Sequence, residues 1–291
     1  MPVLTLPAND GTQLSLRVTG LEHGPAVMLC DGIGCDGYIW RYLRPMLEAR
    51  CRVVHLHYRG HGLSEIPKDL KTLTIEQCGD DVWTALDAAG CREVVLLGHS
   101  MGVQVILEAA RQQPERVRAL VAVCGAFERP LDTFHGSNLG SRLLPLLSGA
   151  LFRWPDRVRR AWQQVVPTDF AYWMATATEV NARMIRRDDF LPYLQHMARM
   201  DPVVFMHLLQ SVADHSARAV LPHLAMPALV VAGARDHFTP SHLSAELARL
   251  LPHGELCRVP GGTHTAPLEL PELIELRVEA FARRHRLWDL A

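Results

Sequence analysis

One stretch constrains this chain more than any other: Val94-Val95-Leu96-Leu97-Gly98-His99-Ser100-Met101-Gly102-Val103. Its apolar start reads as a buried strand. The strand runs into Gly-x-Ser-x-Gly and directly on into a segment of helical periodicity. So abrupt a turn is tight and strained, and it needs small residues beside the serine so that the backbones can pass. It lifts Ser100 above the end of a sheet and sets its oxygen near the N-terminus of the next helix. There, backbone N–H groups and the helix dipole stabilise a developing oxyanion.

The rest of the chain supplies a sheet to match. Residues 3–6 and 13–18 read as short strands joined by the turn Asn9-Asp10-Gly11, and alternation in the second suggests an antiparallel edge pair. Residues 26–30, 52–56, 94–97, 117–123 and 228–232 are short apolar runs suited to strands buried on both faces. Helical patterns lie between them. One covers 38–49 behind Asp36 as N-cap, one covers 75–89 behind Thr74 and ends at Gly90, one covers 103–113, and a last covers about 271–285. Strand-then-helix alternation predicts an α/β fold with a mostly parallel, doubly wound sheet.

The alternation lapses between residues 127 and 222, where helical patterns are separated by prolines. This predicts a helical insertion into a core made of residues 1–126 and 223–291. The insertion holds 11 of the 19 aromatic residues and 5 of the 10 methionines, so it is the natural source of an apolar binding surface. Phe134, Phe152, Trp154, Phe170, Trp173, Met174, Met184 and Met206 are the substrate-contact candidates, although most such residues must build the insertion's own core.

A serine hydroxyl needs a base within hydrogen-bond reach. In this architecture the order is serine, acid, histidine, each past the carboxyl end of a strand. The strand 228–232 is followed by Gly233-Ala234-Arg235-Asp236, and the strand 255–259 by Pro260-Gly261-Gly262-Thr263-His264. Asp236 would fix the His264 tautomer and stabilise the imidazolium formed during attack. Taken singly, His264 could be a surface-loop histidine and Asp236 a cap for a helix beginning near Pro240. Glu128 and Asp132 are alternative positions for the acid. Cys124, at a strand end, reads as packing, and His55, His57 and His61 read as structural because no metal-ligand spacing accompanies them.

These segments resemble the α/β-hydrolase superfamily, in particular its capped esterase, lipase and lactonase-like branch. The resemblance rests on Gly98-His99-Ser100-Met101-Gly102, Gly233-Ala234-Arg235-Asp236-His237, Gly261-Gly262-Thr263-His264 and the loop Tyr58-Arg59-Gly60-His61-Gly62-Leu63-Ser64. It implies a helical cap, a Ser100–His264–Asp236 triad and an oxyanion hole made by the N–H groups of Ile33 and Met101. The family usually places His-Gly where this chain has Asp31-Gly32, so Asp31 departs from the pattern and is expected to brace its loop. The resemblance implies a serine hydrolase acting on an ester, lactone or thioester of an apolar small molecule, with no cofactor or metal. It leaves open C–C bond hydrolysis, perhydrolase-like and cofactor-free dioxygenase chemistry on the same triad. A binding protein without catalysis is the remaining alternative.

Composition narrows the partners. A net charge of −1 gives no general electrostatic reason to expect nucleic acid. The arginine clusters at 153–160 and 283–286 are interleaved with apolar residues at helical spacing and read as solvated helix faces. The N-terminal residues do not read as a secretion signal, and no apolar run reads as long enough for a bilayer, so neither export nor a membrane span is expected. Seven scattered cysteines without Cys-x-x-Cys pairs suggest reduced thiols and a cytoplasmic location. The exposed surface of the insertion leaves room for a homodimer.

Overall fold

A computed structural model of the chain describes residues 3–133, 136–169, 172–173, 180–181 and 183–289. The apolar runs become strands β1 (Val3–Pro7), β2 (Gln13–Gly20), β3 (Ala26–Cys30), β4 (Arg52–His57), β5 (Val94–His99), β6 (Val117–Val123), β7 (Ala228–Gly233) and β8 (Gly254–Val259). They form one sheet in the order β1-β2-β4-β3-β5-β6-β7-β8. β1 and β2 are antiparallel to each other, β2 is antiparallel to β4, and every pairing from β4 onward is parallel. Central β5 and β7 are buried at every residue, which is why they lack polar alternation. Their side chains alternate between two cores: Val94 and Leu96 enter one, Val95 and Leu97 the other.

The connections place the site. Helix α1 (Leu43–Glu48) carries the chain from β3 to β4 on one side, and α2 (Ile75–Ala88) returns it across β3 to β5 on the other. The winding direction reverses between β3 and β5, and a crevice opens at the carboxyl ends of strands at such a switch point. The loop beginning at Asp31 and the turn at Ser100 occupy those two ends. Helix α3 (Met101–Gln112) starts with no intervening loop after Ser100.

Thr74 caps α2 by accepting from Gln77 N–H at 3.1 Å, as its position predicts. The helix expected over 38–49 is instead a short 3₁₀ turn, Tyr38–Trp40, followed by α1. Pro45 is the third residue of α1, in the first turn, where its missing N–H costs no intrahelical bond. Asp36 is not its cap: Gly37 at φ 74° precedes the turn, and the Asp36 carboxylate lies 2.8 Å from His57 Nε2.

Between β6 and β7 the described residues form helices α4 (Leu139–Arg153), α5 (Pro155–Val165), α6 (Arg187–Arg199) and α7 (Pro202–Asp214), with no strand among them. The two ends of this excursion are zipped together. Ala217 N–H donates to Phe127 O at 2.9 Å, and Glu128 and Ser216 form an isolated antiparallel bridge. Beyond β7 the chain adds α8 (Ser241–Leu250), α9 (Ala266–Glu269) and α10 (Pro271–Arg284).

The arginine clusters are largely paired or solvated: Arg159 bonds Asp201 and Asp156, Arg283 bonds Glu279, and Arg284 bonds Glu255. All seven cysteines are buried free thiols. No described helix is long and apolar enough to cross a membrane.

Candidate active site

Ser100 sits at φ 56°, ψ −120°, a strained conformation for a residue with a side chain. The turn is over-determined by its surroundings. A Cβ on Gly98 would lie 2.3 Å from Gly102 O, and one on Gly102 would lie 2.1 Å from Cys30 O, so neither glycine can be replaced without moving backbone. Ser100 N–H donates to Val123 O at 3.1 Å, anchoring the elbow to β6.

The loops after β7 and β8 bring the two other candidates to this serine. Ser100 Oγ is 2.9 Å from His264 Nε2, and His264 Nδ1 is 2.9 Å from Asp236 Oδ2. Because a carboxylate can only accept, Nδ1 carries the proton and Nε2 presents its lone pair to the hydroxyl. Asp236 is itself fixed: Oδ1 accepts from Phe238 N–H and Thr239 N–H, both at 2.9 Å, and Oδ2 from the Thr239 hydroxyl at 2.8 Å. Burial alone would raise its pKa; the adjoining His264 and the Thr239 donors outweigh that and hold it below the usual carboxylate value. The arrangement can move the Ser100 proton onto His264.

Glu128 is engaged elsewhere, accepting from Arg218 and the Ser216 hydroxyl. Asp132 lies in a 3₁₀ turn of the insertion, Pro130–Asp132. The Cys124 thiol is buried, donates to Thr263 O at 3.6 Å, and has its pKa pushed well up by burial.

The loop after β3 crosses directly over the serine, since a Cβ on Gly32 would meet Ser100 Cβ at 3.0 Å. Ile33 and Met101 both line the cavity beside Ser100. As the first residue of α3, Met101 has an N–H with no intrahelical acceptor. Asp31 braces this loop from below. Its carboxylate accepts from Gly37 N–H at 2.7 Å and Trp40 Nε1–H at 2.7 Å and pairs with His55 Nε2 at 2.8 Å. Burial opposes its charge, but His55 and the two N–H donors outweigh it and depress its pKa. Asp31→Asn leaves one of these donors facing an amide N–H₂, and we expect a loss of ~3 kcal/mol in stability, read by urea unfolding at pH 7. An unchanged midpoint would show that the loop does not depend on this carboxylate.

Three further residues matter that sequence reasoning passed over or left as generic structure. His61 Nε2 accepts from Gly34 N–H at 3.0 Å, while Nδ1–H faces Arg59 O at 3.3 Å, so a neutral imidazole pins the loop from the side. Burial keeps it neutral, lowering its pKa to about 4. His99, equally buried, donates from Nε2 to His264 O at 2.9 Å; burial and then the neighbouring His264 lower its pKa to about 3. Glu269 bonds both neighbours of His264. Among the described residues, no group of three or more His, Cys, Asp or Glu side chains is arranged to hold a metal ion.

A cavity of about 480 Å³ opens over Ser100 and His264. Core residues form its floor and the insertion its walls, with Leu144 and Leu147 from α4, Phe190 and Tyr193 from α6, and Phe205 and Leu209 from α7. Among the described residues, no Asp, Glu, Lys or Arg lines it. The expected contact residues are placed differently. Phe152, Trp154 and Trp173 are exposed, Phe152 stacks on His207, and Met184 approaches Asn181; neither these nor Met206 line the cavity. Phe134, Phe170 and Met174 lie outside the described residues. Helical spacing within 190–197 and 205–212 carried the better signal, since Phe190, Tyr193 and Met197 share one face, as do Phe205, Leu209 and Val212.

A family model described as "alpha/beta hydrolase fold" matches residues 25–271. The chain is 31% identical over 263 residues to the polyketide synthase ThaQ of Burkholderia thailandensis, aligning 89% of this chain with only 12% of that protein. It is 30% identical over 259 residues to the "Putative carbamate hydrolase RutD" of Klebsiella pneumoniae, covering 87% of this chain and 89% of that one. Among solved structures, the enol-lactonase of Burkholderia xenovorans superposes with a TM-score of 0.75 at 21% identity, over 96% of this chain and 100% of the other.

Proposed function

This chain belongs to the α/β-hydrolase fold family, and from that premise we propose that it is a serine hydrolase cleaving an ester, lactone or thioester of an apolar small molecule. The observation that carries the proposal is the continuous hydrogen-bonded path from Ser100 Oγ through His264 to Asp236, with both contacts at 2.9 Å. His264 takes the Ser100 proton as Oγ attacks the carbonyl carbon, and Asp236 stabilises the imidazolium. The N–H groups of Ile33 and Met101 receive the oxyanion. His264 then protonates the leaving oxygen, and water, activated by the same histidine, hydrolyses the acyl-enzyme.

In this reading residues 127–222 form a cap that roofs the serine. A cavity whose described lining carries no charged side chain favours a substrate that is neutral and apolar around the scissile bond. The likeness to a protein named as a carbamate hydrolase supports a second reading, carbamate cleavage at the same serine. The same lining then favours carbamates with apolar substituents.

p-Nitrophenyl esters from acetate to laurate, alongside p-nitrophenyl N-alkyl carbamates, test both readings. Turnover rising with acyl length supports the ester reading, and preferential carbamate turnover the second. Absence of turnover across both series contradicts the proposal. Leu144→Trp places bulk on the α4 wall and should shift the optimum to shorter acyl chains. Each methylene excluded should cost about 1–3 kcal/mol in kcat/KM. An unmoved profile would mean that the acyl chain does not lie along this wall.

A further inference from the structure

Glu269 ends α9 five residues after His264, is only 5% exposed, and has no place in the proton path. Its carboxylate accepts four donors. Oε2 takes Thr263 N–H at 2.7 Å. Oε1 takes the Thr263 hydroxyl at 2.5 Å, the Thr265 hydroxyl at 3.0 Å and Asn181 N–H at 2.8 Å. Thr263 and Thr265 are the immediate neighbours of His264 in the chain, whereas Asn181 belongs to the insertion. A single buried carboxylate therefore holds both flanks of the histidine and one end of the segment that leads into α6, a wall of the cavity.

A second contact follows the same line, since Asn181 Nδ2–H donates to Gly261 O at 3.3 Å. On the opposite side, His99 Nε2–H holds His264 O. The histidine loop is thus fixed to the core by His99 and to the insertion through Glu269. The site also demands a carboxylate, which is acceptor-only with room for about four donors. A glutamine would turn an N–H₂ group toward at least one of the same donors and leave it unpaired in a buried site.

We propose that Glu269 is a positioning residue that sets the His264 loop and the helical insertion in register with each other, so that the alignment of Nε2 with Ser100 depends on where the insertion sits. The catalytic consequence rests on the serine-hydrolase reading above; the mechanical coupling does not. Misalignment of a base by a fraction of an ångström to one ångström is enough to slow proton transfer on the order of 10–100-fold.

Glu269→Gln, Thr263→Val and Thr263→Ser separate these parts. With a fluorophosphonate and with p-nitrophenyl butyrate, E269Q should lower the labelling rate and kcat by ~10–100-fold while KM for this short ester changes less than threefold. T263V should give a smaller loss in the same direction, and T263S, which keeps the hydroxyl, should restore the rate. Hydrogen-exchange mass spectrometry on the same proteins should show faster exchange in E269Q both at 260–270 and at 183–199. Wild-type labelling rate and kcat in E269Q, or faster exchange confined to 260–270, overturns the proposal. If E269Q does not fold, the contrast between T263V and T263S decides: equal rates in the two refute the positioning role. A wild-type protein that does not label defeats the reading of Ser100, and the exchange result still accepts or rejects the coupling.

Discussion

Ser100→Ala is expected to reduce ester turnover by about 10⁴–10⁶-fold and to abolish fluorophosphonate labelling. Among the described residues, no neighbour is placed to substitute. The nearby thiol of Cys124 is buried, with its pKa raised well above the ordinary value, and Thr239 is engaged with Asp236. In the proposed mechanism the residual rate comes from Ile33 and Met101, whose N–H groups would still polarise a bound carbonyl. Stability should barely change, within ~1 kcal/mol, because alanine keeps the Cβ and meets the same backbone strain at φ 56°. The comparison needs kcat/KM for one good ester and a thermal melt of both proteins. Substantial turnover in a folded S100A protein would move the chemistry to another group.

Asp236→Asn should be nearly as damaging, lowering kcat by about 10⁴-fold, the scale seen for the equivalent change in serine proteases. The reason is tautomeric. An asparagine can donate toward His264 Nδ1, which leaves the proton on Nε2, where it faces Ser100 and cannot accept. Only a several-fold loss would argue for a different acid, yet Glu128 already holds Arg218 at 2.9 Å and Ser216 at 2.9 Å.

The same substitution has a signature in stability. The Asp236 carboxyl is held below its unfolded pKa of about 3.9. It therefore contributes stability that is fully present above that pH and is lost as pH falls through the folded value. The stability difference between wild type and D236N should be largest near neutrality and should shrink below pH ~4. Urea unfolding of both proteins at several pH values measures it, and a difference independent of pH would contradict the assigned pairing.

What could be read from the sequence divides along physical lines. The parallel strands were legible because burial on both faces forces continuous apolar runs, as at β5 and β7. The meeting of Ser100, Asp236 and His264 was legible because each stands just past a strand end, and parallel strands bring those ends to one edge. The first crossover was less so: Gly37 and Pro45 break what periodicity alone joins into one helix.

The cavity walls were harder because they depend on which face each inserted helix turns inward. Aromatic size does not mark the inward face: Trp154 and Trp173 face solvent while Leu144 and Tyr193 line the cavity. Asp31 was readable as a brace, but its partners Trp40 and His55 come from a neighbouring turn and strand. Glu269 lies close to His264 in sequence, but its contact with Asn181 spans 88 positions and has no local signature.

The most direct measurement is to treat the purified protein with a fluorophosphonate and map the adduct by peptide mass spectrometry. A single phosphonyl group on Ser100, absent from the S100A protein and formed far more slowly in D236N, is the predicted result. No adduct, or one on a residue other than Ser100, would contradict the account.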